Sequence, residues 1–279
     1  MNARPSTDSA PALTFVALGD LHIGANDRAR LETAFRGAAR HKDAAFLAAP
    51  GDLTNAGLPE QYAELRAYAE RLPMPLVAIM GNHEYHTGPD DDARKRFCMA
   101  LGLKAPSYIR TAGPVTMAFL STDRDIDGCS VDIRDSLPIL ESALERAKGP
   151  VIAFCHAPLS GTVGAAEGRN CFLSSDPFFS VGCSARVRAL VRSAGKPVVW
   201  ICGHTHSPLA TDGLIGTEYA GDTPIHTVNL SSPYYTGRDF VQTEPIAVYR
   251  FEVSETGVEV IIEDADTGAV LRRESLPPG

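Results

Sequence analysis

Five short clusters hold most of the side chains able to ligate a metal or move a proton: Gly19-Asp20-Leu21-His22, Gly51-Asp52, Gly81-Asn82-His83-Glu84, His156 and Gly203-His204-Thr205-His206. In extended chain, residues i and i+2 point to the same side, so Asp20 with His22 can reach one ion together. His204 and His206 form a second fork of the same kind. Gly51 permits the tight turn that exposes Asp52, whose two oxygens can bridge two cations. Asn82 offers a neutral carbonyl oxygen, His156 a further nitrogen, and His83 an adjacent proton donor. Each cluster alone has a plainer reading as a cap, a turn or a structural histidine. In conjunction they align seven donors, Asp20, His22, Asp52, Asn82, His156, His204 and His206, and five of the eight histidines fall in them with His83.

The elements that must hold these residues are readable too. Leu13–Leu18, Ala44–Ala49, Pro75–Met80, Val115–Leu120, Val151–Cys155 and Pro197–Cys202 are short apolar runs that read as buried strands. All five clusters directly follow one of them. Between the runs, Leu31, Ala34, Phe35 and Ala38 recur at helical spacing, as do Leu58, Tyr62, Leu65, Ala69 and Leu72. A third helix follows Asp90 and stops at Gly102, with Phe97, Cys98 and Leu101 on one face. Ser136 and Ser184 read as N-caps of two more, and Gly195 as a C-terminal stop. Alternating strands and helices imply βαβ units, and carboxyl ends of strands in an open α/β sheet share one crevice. Beyond Ile225 the pattern turns to consecutive strands, Ile225–Leu230, Ile246–Val253 and Val258–Ile262, the last two joined at Glu255-Thr256-Gly257. A second sheet packed on the first accounts for them. No linker or repeat interrupts residues 1–279, which read as one domain with residues 1–12 flexible.

Composition bounds the function. The 279 residues are 44% hydrophobic and 22% charged, ordinary for a soluble protein. A formal charge of -8 argues against a broad nucleic-acid surface, although bound metals can reverse the sign inside a cleft. The six cysteines form no CxxC pair; Cys155 and Cys202 read as buried thiols, and Cys171 and Cys183 flank a loop across which they could pair. There is no apolar signal core and no run near membrane-spanning length, which predicts a cytoplasmic protein without a membrane partner.

Taken together, Asp20-Leu21-His22, Gly51-Asp52, Gly81-Asn82-His83-Glu84, His156 and Gly203-His204-Thr205-His206 resemble the motifs of the calcineurin-like metallophosphoesterase superfamily. The resemblance implies an α/β fold, a four-layer α/β/β/α sandwich of two mixed sheets flanked by helices. It implies that Asp20, His22 and His206 bind one metal, that Asn82, His156 and His204 bind the other, and that Asp52 bridges them. A metal-bridging hydroxide would attack phosphorus, with His83 stabilising or protonating the leaving oxygen. Two carboxylates, two divalent ions and one hydroxide sum to one net positive charge, which attracts a phosphate. Such mixed donors suit divalent or trivalent Mn, Fe, Zn, Co or Ni better than Mg.

Departures narrow the branch. Leu53-Thr54-Asn55-Ala56-Gly57 lacks the Asp-Arg-Gly element of protein Ser/Thr phosphatases and the tyrosine ligand of purple acid phosphatases. Size and motif order look most similar to bacterial cyclic-nucleotide and glycerophosphodiester phosphodiesterases, although Glu84 stands where those usually carry Asp. The expectation is hydrolysis of a small phosphodiester. A phosphomonoesterase is the close alternative, and a non-catalytic scaffold the remote one. Two stretches could shape the pocket. Residues 157–183 carry Arg169, Asn170, Phe172, Phe178 and Phe179, and residues 231–240 carry Tyr234, Tyr235 and Arg238; Arg169 and Arg238 are candidates for phosphate contacts. His86 could lie near the site or cap the helix after Asp90, while His41 and His226 read as structural. A homodimer through the C-terminal strands is compatible with the sequence.

Overall fold

The computed structural model describes residues 11–123, 131–242 and 245–278. The expected flexibility of residues 1–12 falls, but for Pro11 and Ala12, outside the described residues, as does Cys129. The strands are β1 (Leu13–Ala17), β2 (Leu47–Pro50), β3 (Leu76–Ile79), β4 (Tyr108–Ala112), β5 (Val115–Leu120), β6 (Val151–Cys155), β7 (Val198–Cys202), β8 (Ile215–Ala220), β9 (Thr223–Asn229), β10 (Tyr235–Thr236), β11 (Val241–Gln242), β12 (Ala247–Ser254), β13 (Gly257–Asp264) and β14 (Val270–Leu276). The helices are α1 (Arg28–Ala38), α2 (Pro59–Ala69), α3 (Asp90–Leu101), α4 (Leu137–Arg146) and α5 (Ser184–Ala194).

Two six-stranded mixed sheets form, ordered β14-β13-β12-β1-β2-β3 and β4-β5-β6-β7-β9-β8. Period-two alternation sends every other side chain of each strand to one face, and it sorts the apolar residues into three layers. Leu13, Phe15 and Ala17 of β1 meet Met117 and Phe119 of β5, and Ile152 and Phe154 of β6, between the sheets. Val16 and Leu18 face the other way, onto Leu31, Ala34 and Phe35 of α1. Ala118, Leu120, Ala153 and Trp200 pack on Leu140 and Leu144 of α4 and Val187 and Val191 of α5. This is the four-layer sandwich the resemblance implies. Phe15 stacks on Phe46 and Phe251 with centroids 4.9 and 4.6 Å apart, and Phe119 stacks on Phe154 at 4.6 Å. Each such buried ring contributes about 1.5–3 kcal/mol.

Local signals set the helix ends. Asp27 caps α1 by accepting from Ala29 N at 2.7 Å, and Pro59 opens α2. Gly102 and Gly195 end α3 and α5 in left-handed conformation, as expected. Ser184 is not a cap: Cys183 holds that position, and the Ser184 hydroxyl accepts from Ser160 N. Ser136 does hold the N-cap position of α4, but its hydroxyl donates to Ser121 O. β12 and β13 join through Glu255 and Thr256, with Ser254 paired to Gly257.

Five strands were not expected: β4, β8, β14 and the two-residue strands β10 and β11, which pair only with each other. The first three lie at edges of the large sheets. The edge strands β4, β8 and β14 mix exposed polar residues such as Arg110, Thr217 and Arg273 with apolar ones, so they lack the continuous apolar runs of the central strands. Cys171 and Cys183 are both free thiols, and Cys155 and Cys202 are buried. No helix among the described residues is long and apolar enough to cross a membrane.

Candidate metal centre

The five clusters do not share one sheet. β1, β2 and β3 carry Asp20 and His22, Asp52, and Asn82 and His83 from the first sheet; β6 and β7 carry His156, and His204 and His206, from the second. The crevice therefore opens where the carboxyl ends of the two facing sheets meet.

The backbone makes an unusual concession there. Among the described residues, six non-glycine positions have positive φ, and five of them are Asp20 (37°), His22 (46°), Asp52 (48°), His204 (67°) and His206 (44°). Each such conformation costs about 1–3 kcal/mol and persists only where the surroundings enforce it. The neighbouring glycines show what enforces it. A Cβ at Gly203 would overlap the Asp20 carboxylate, and one at Gly81 the Asp52 carboxylate. A Cβ at Gly51 would lie 2.7 Å from His156 Nδ1. Gly203→Ala and Gly81→Ala should therefore weaken metal binding at least tenfold by displacing those carboxylates, about the scale of losing an outer-shell partner. Gly149→Ala, where a Cβ meets open space, is the control. Equal metal affinity in all three by competition titration would sink the steric argument.

Asp52 lies at the middle of these donors. Its Oδ2 is 3.6 Å from His22 Nε2, 3.3 Å from His156 Nε2 and 3.9 Å from His83 Nε2. Three groups present donor atoms within 4.8 Å of one another: Asp20, His22 and His206; His22, Asp52 and His83; Asp52, His156 and His204. Asn82 joins the last through Oδ1, 3.0 Å from His156 Nε2. All seven proposed donors and His83 are thus brought together.

Backbone carbonyls fix the imidazoles. Nδ1–H of His156 donates to Pro50 O (3.0 Å), Nδ1–H of His206 to Tyr235 O (3.1 Å), Nδ1–H of His83 to Asn55 O (2.9 Å), and Nε2–H of His204 to Phe178 O (2.8 Å). Each bond leaves the opposite ring nitrogen for a ligand, the usual way a protein orients metal-binding histidine. Two buried atoms of the cluster, Asp20 Oδ2 and His22 Nδ1, have no partner. An orphaned carboxylate oxygen in a buried cluster fits a cation.

The electrostatics agree. Burial pushes the Asp20 carboxyl up to about 7 and the His204 and His206 imidazoles down to about 3. Burial also holds His22 well below its ordinary value, so these rings are neutral and can donate lone pairs. Burial opposes the charge on Asp52 as well, but the surrounding imidazoles, His156 foremost, hold it well below the usual carboxylate range. Burial alone would lower His156; the Asp52 carboxylate outweighs it and raises the ring to about 9. A metal would take the place of that proton.

Glu84 has a role the sequence did not disclose. Fully buried, it accepts from Asp52 N (3.0 Å), Thr54 N (3.0 Å), Thr54 Oγ1 (2.9 Å) and Gly81 N (2.7 Å). It thereby ties the turn after β2 to the turn after β3. Its position in Gly81-Asn82-His83-Glu84 was the only available signal. His86 packs beside His83, with centroids 4.1 Å apart, and the cap position of α3 is Pro89. His41 and His226 lie elsewhere, the first against Glu263 and the second bonded to Thr217 and Pro277 O.

The two candidate arginines do not enter the cluster. Arg238 sits over the rings of Phe172 (5.0 Å) and Phe179 (5.6 Å) and pairs with Asp176 at 3.4 Å. Arg169 is exposed. The loops that carry them nevertheless flank the centre, since Phe178 and Tyr235 supply two of the four carbonyls.

This arrangement, a four-layer sandwich with carboxylates and imidazoles gathered at its seam, defines a metallophosphoesterase. The chain belongs to the calcineurin-like phosphoesterase family, whose model matches residues 13–208. Its clusters suit divalent metal ions. Among solved structures, it is similar to a dimetal phosphatase from Danio rerio at 12% identity and a TM-score of 0.63, covering 96% of this chain and 100% of that one. It is also similar to GAP50, the anchor in the inner membrane complex of Plasmodium, at 15% identity and a TM-score of 0.62, covering 96% and 89%. At such identities these likenesses establish the fold alone. No curated protein matches the sequence.

Proposed function

We propose that the protein hydrolyses a small phosphodiester at a two-metal centre held by Asp20, His22, Asp52, Asn82, His156, His204 and His206. The observation that carries this is the central place of Asp52, whose Oδ2 lies within 4 Å of nitrogens from His22, His156 and His83. One carboxylate can thus join both clusters. Two bound transition-metal ions would supply Lewis acidity, activating a water and neutralising phosphoryl oxygens.

The chain's own residues do the rest. His83 keeps Nε2 toward the cluster because Nδ1 is engaged by Asn55 O, and its side chain is 26% exposed. Once it takes up a proton on Nε2 from solvent, the ring can hand that proton to a leaving oxygen. Charge favours the diester. With two divalent ions and a hydroxide, these donors would carry one net positive charge, which a diester monoanion would balance. A monoester dianion would call for a further cation, and Arg238 is committed to Asp176, Phe172 and Phe179.

The test is turnover of bis-p-nitrophenyl phosphate against p-nitrophenyl phosphate by manganese-reconstituted protein. Diester turnover should exceed monoester turnover, and His83→Ala should lower it on the order of a hundredfold to ten-thousandfold. A monoester preference would reassign the protein as a phosphatase. Silence on both, with two metals bound, would leave an anchoring or scaffolding role.

A further inference from the structure

The sixth non-glycine residue with positive φ is Phe240, at 52°. A bulky residue there is a true outlier, and such strain persists where something other than local stability maintains it. Phe240 does not earn its place by burial, since it is 64% exposed. It closes the turn Gly237-Arg238-Asp239-Phe240 of the β10–β11 hairpin, in which Tyr235 pairs with Gln242 and Thr236 with Val241.

That hairpin is bolted to the metal centre. Tyr235 O accepts from His206 Nδ1, and Gly237 N donates to His206 O at 3.0 Å. The rings continue the connection outward: Tyr235 stacks on His206 at 4.2 Å, and Phe240 lies 4.7 Å from Tyr235. Tyr234 lies 5.5 Å from His22. On the other flanking loop, Phe178, 50% exposed, holds His204 through its carbonyl, and Phe179 lies 5.4 Å from the His204 ring. Three of the seven large exposed hydrophobic side chains among the described residues, Phe178, Phe240 and Val241, thus lie on the two segments that touch the centre. The hairpin's own cation, Arg238, pairs with Asp176 at 3.4 Å and lies over two rings, with its side chain 42% exposed.

We infer that Phe240, presented by the Tyr235 hairpin, is a specificity-determining residue that receives a flat, uncharged organic substituent of the phosphoester. This rests on the phosphoesterase reading and deepens it. A flat substituent can stack on the ring, and the hairpin's arginine already faces Asp176 and two rings rather than the centre. Glycerol-like or polyphosphate substituents gain nothing there.

The test is calorimetric titration of metal-loaded protein with the monomethyl esters of phenylphosphonate and of methylphosphonate, monoanions like a diester, which share the phosphonate and differ in the substituent. Wild type should bind the phenyl compound about tenfold more tightly, the upper range of one aromatic contact. Phe240→Gly keeps the left-handed backbone without a ring and should reduce that preference to about twofold or less; Phe240→Trp should retain it. Equal affinities in wild type, or a preference untouched in Phe240→Gly, would overturn the inference while leaving the metal centre's phosphate chemistry standing. Failure of both phosphonates to bind a centre with two confirmed metals would sink the phosphoesterase reading as well.

Discussion

Asp52→Asn should cost on the order of a thousandfold in kcat/KM, equivalent to about 4 kcal/mol of transition-state stabilisation. The substitution is nearly isosteric, and the asparagine carbonyl can still accept from His83 N, which Asp52 Oδ1 receives at 3.0 Å. What it removes is the charge at the junction of the two clusters. A second readout separates this from misfolding. With the carboxylate gone, the burial that already opposes charge on His156 acts against a much weaker counterweight, so the imidazole should titrate well below its value of about 9 in metal-free protein. Histidine NMR titration reads that directly. Wild-type turnover and an unmoved His156 would show that Asp52 does not join the clusters.

The largest effect on stability is expected at Glu84. Glu84→Ala leaves the amides of Asp52, Thr54 and Gly81 without their acceptor in a place closed to water. Each orphaned donor costs about 1–3 kcal/mol, so a total of about 3–5 kcal/mol is expected after relaxation. Glu84→Gln should cost less, about 1–3 kcal/mol, because one oxygen still accepts and the buried charge disappears. Burial, reinforced by Asp52, already pushes the Glu84 carboxyl up. Urea unfolding of metal-free protein decides it: an Ala variant within 1 kcal/mol of wild type would mean that water or another group serves those amides.

The clustering of the candidate donors was legible because this chemistry needs particular side chains, and the chain places them in short motifs directly after apolar runs. Asp20 with His22, and His204 with His206, announce themselves by spacing. Their surroundings do not. The acceptors that set the ring orientations are main-chain oxygens of Pro50, Asn55, Phe178 and Tyr235, and a carbonyl has no residue type to recognise. Glu84 was visible only as a departure from a branch pattern, since nothing local reveals that its carboxylate turns inward to three amides. The surroundings of Arg238 were hidden for a related reason: a guanidinium in a glycine turn suggests an anion, and its pairing with Asp176 and two phenylalanines comes from a distant loop. Among the strands, β4, β8 and β14 escaped because an edge needs neither continuous apolarity nor strong alternation to pair on one side.

The place of β1 has a consequence for the order of events in the cell. This first strand is flanked by β2 and by β12, with Leu13 paired to Val253. The turn that follows it leans on late residues too: Gly19 packs against Leu230, and Ser232 Oγ donates to Asp20 O. Asp20 and His22 are therefore among the earliest donors to leave the ribosome and among the last to be set. A nascent chain lacking β9 and β12 holds no finished fork, and closing pairings of such long sequence separation is slow. On that order, a metal would be acquired after folding rather than seed it.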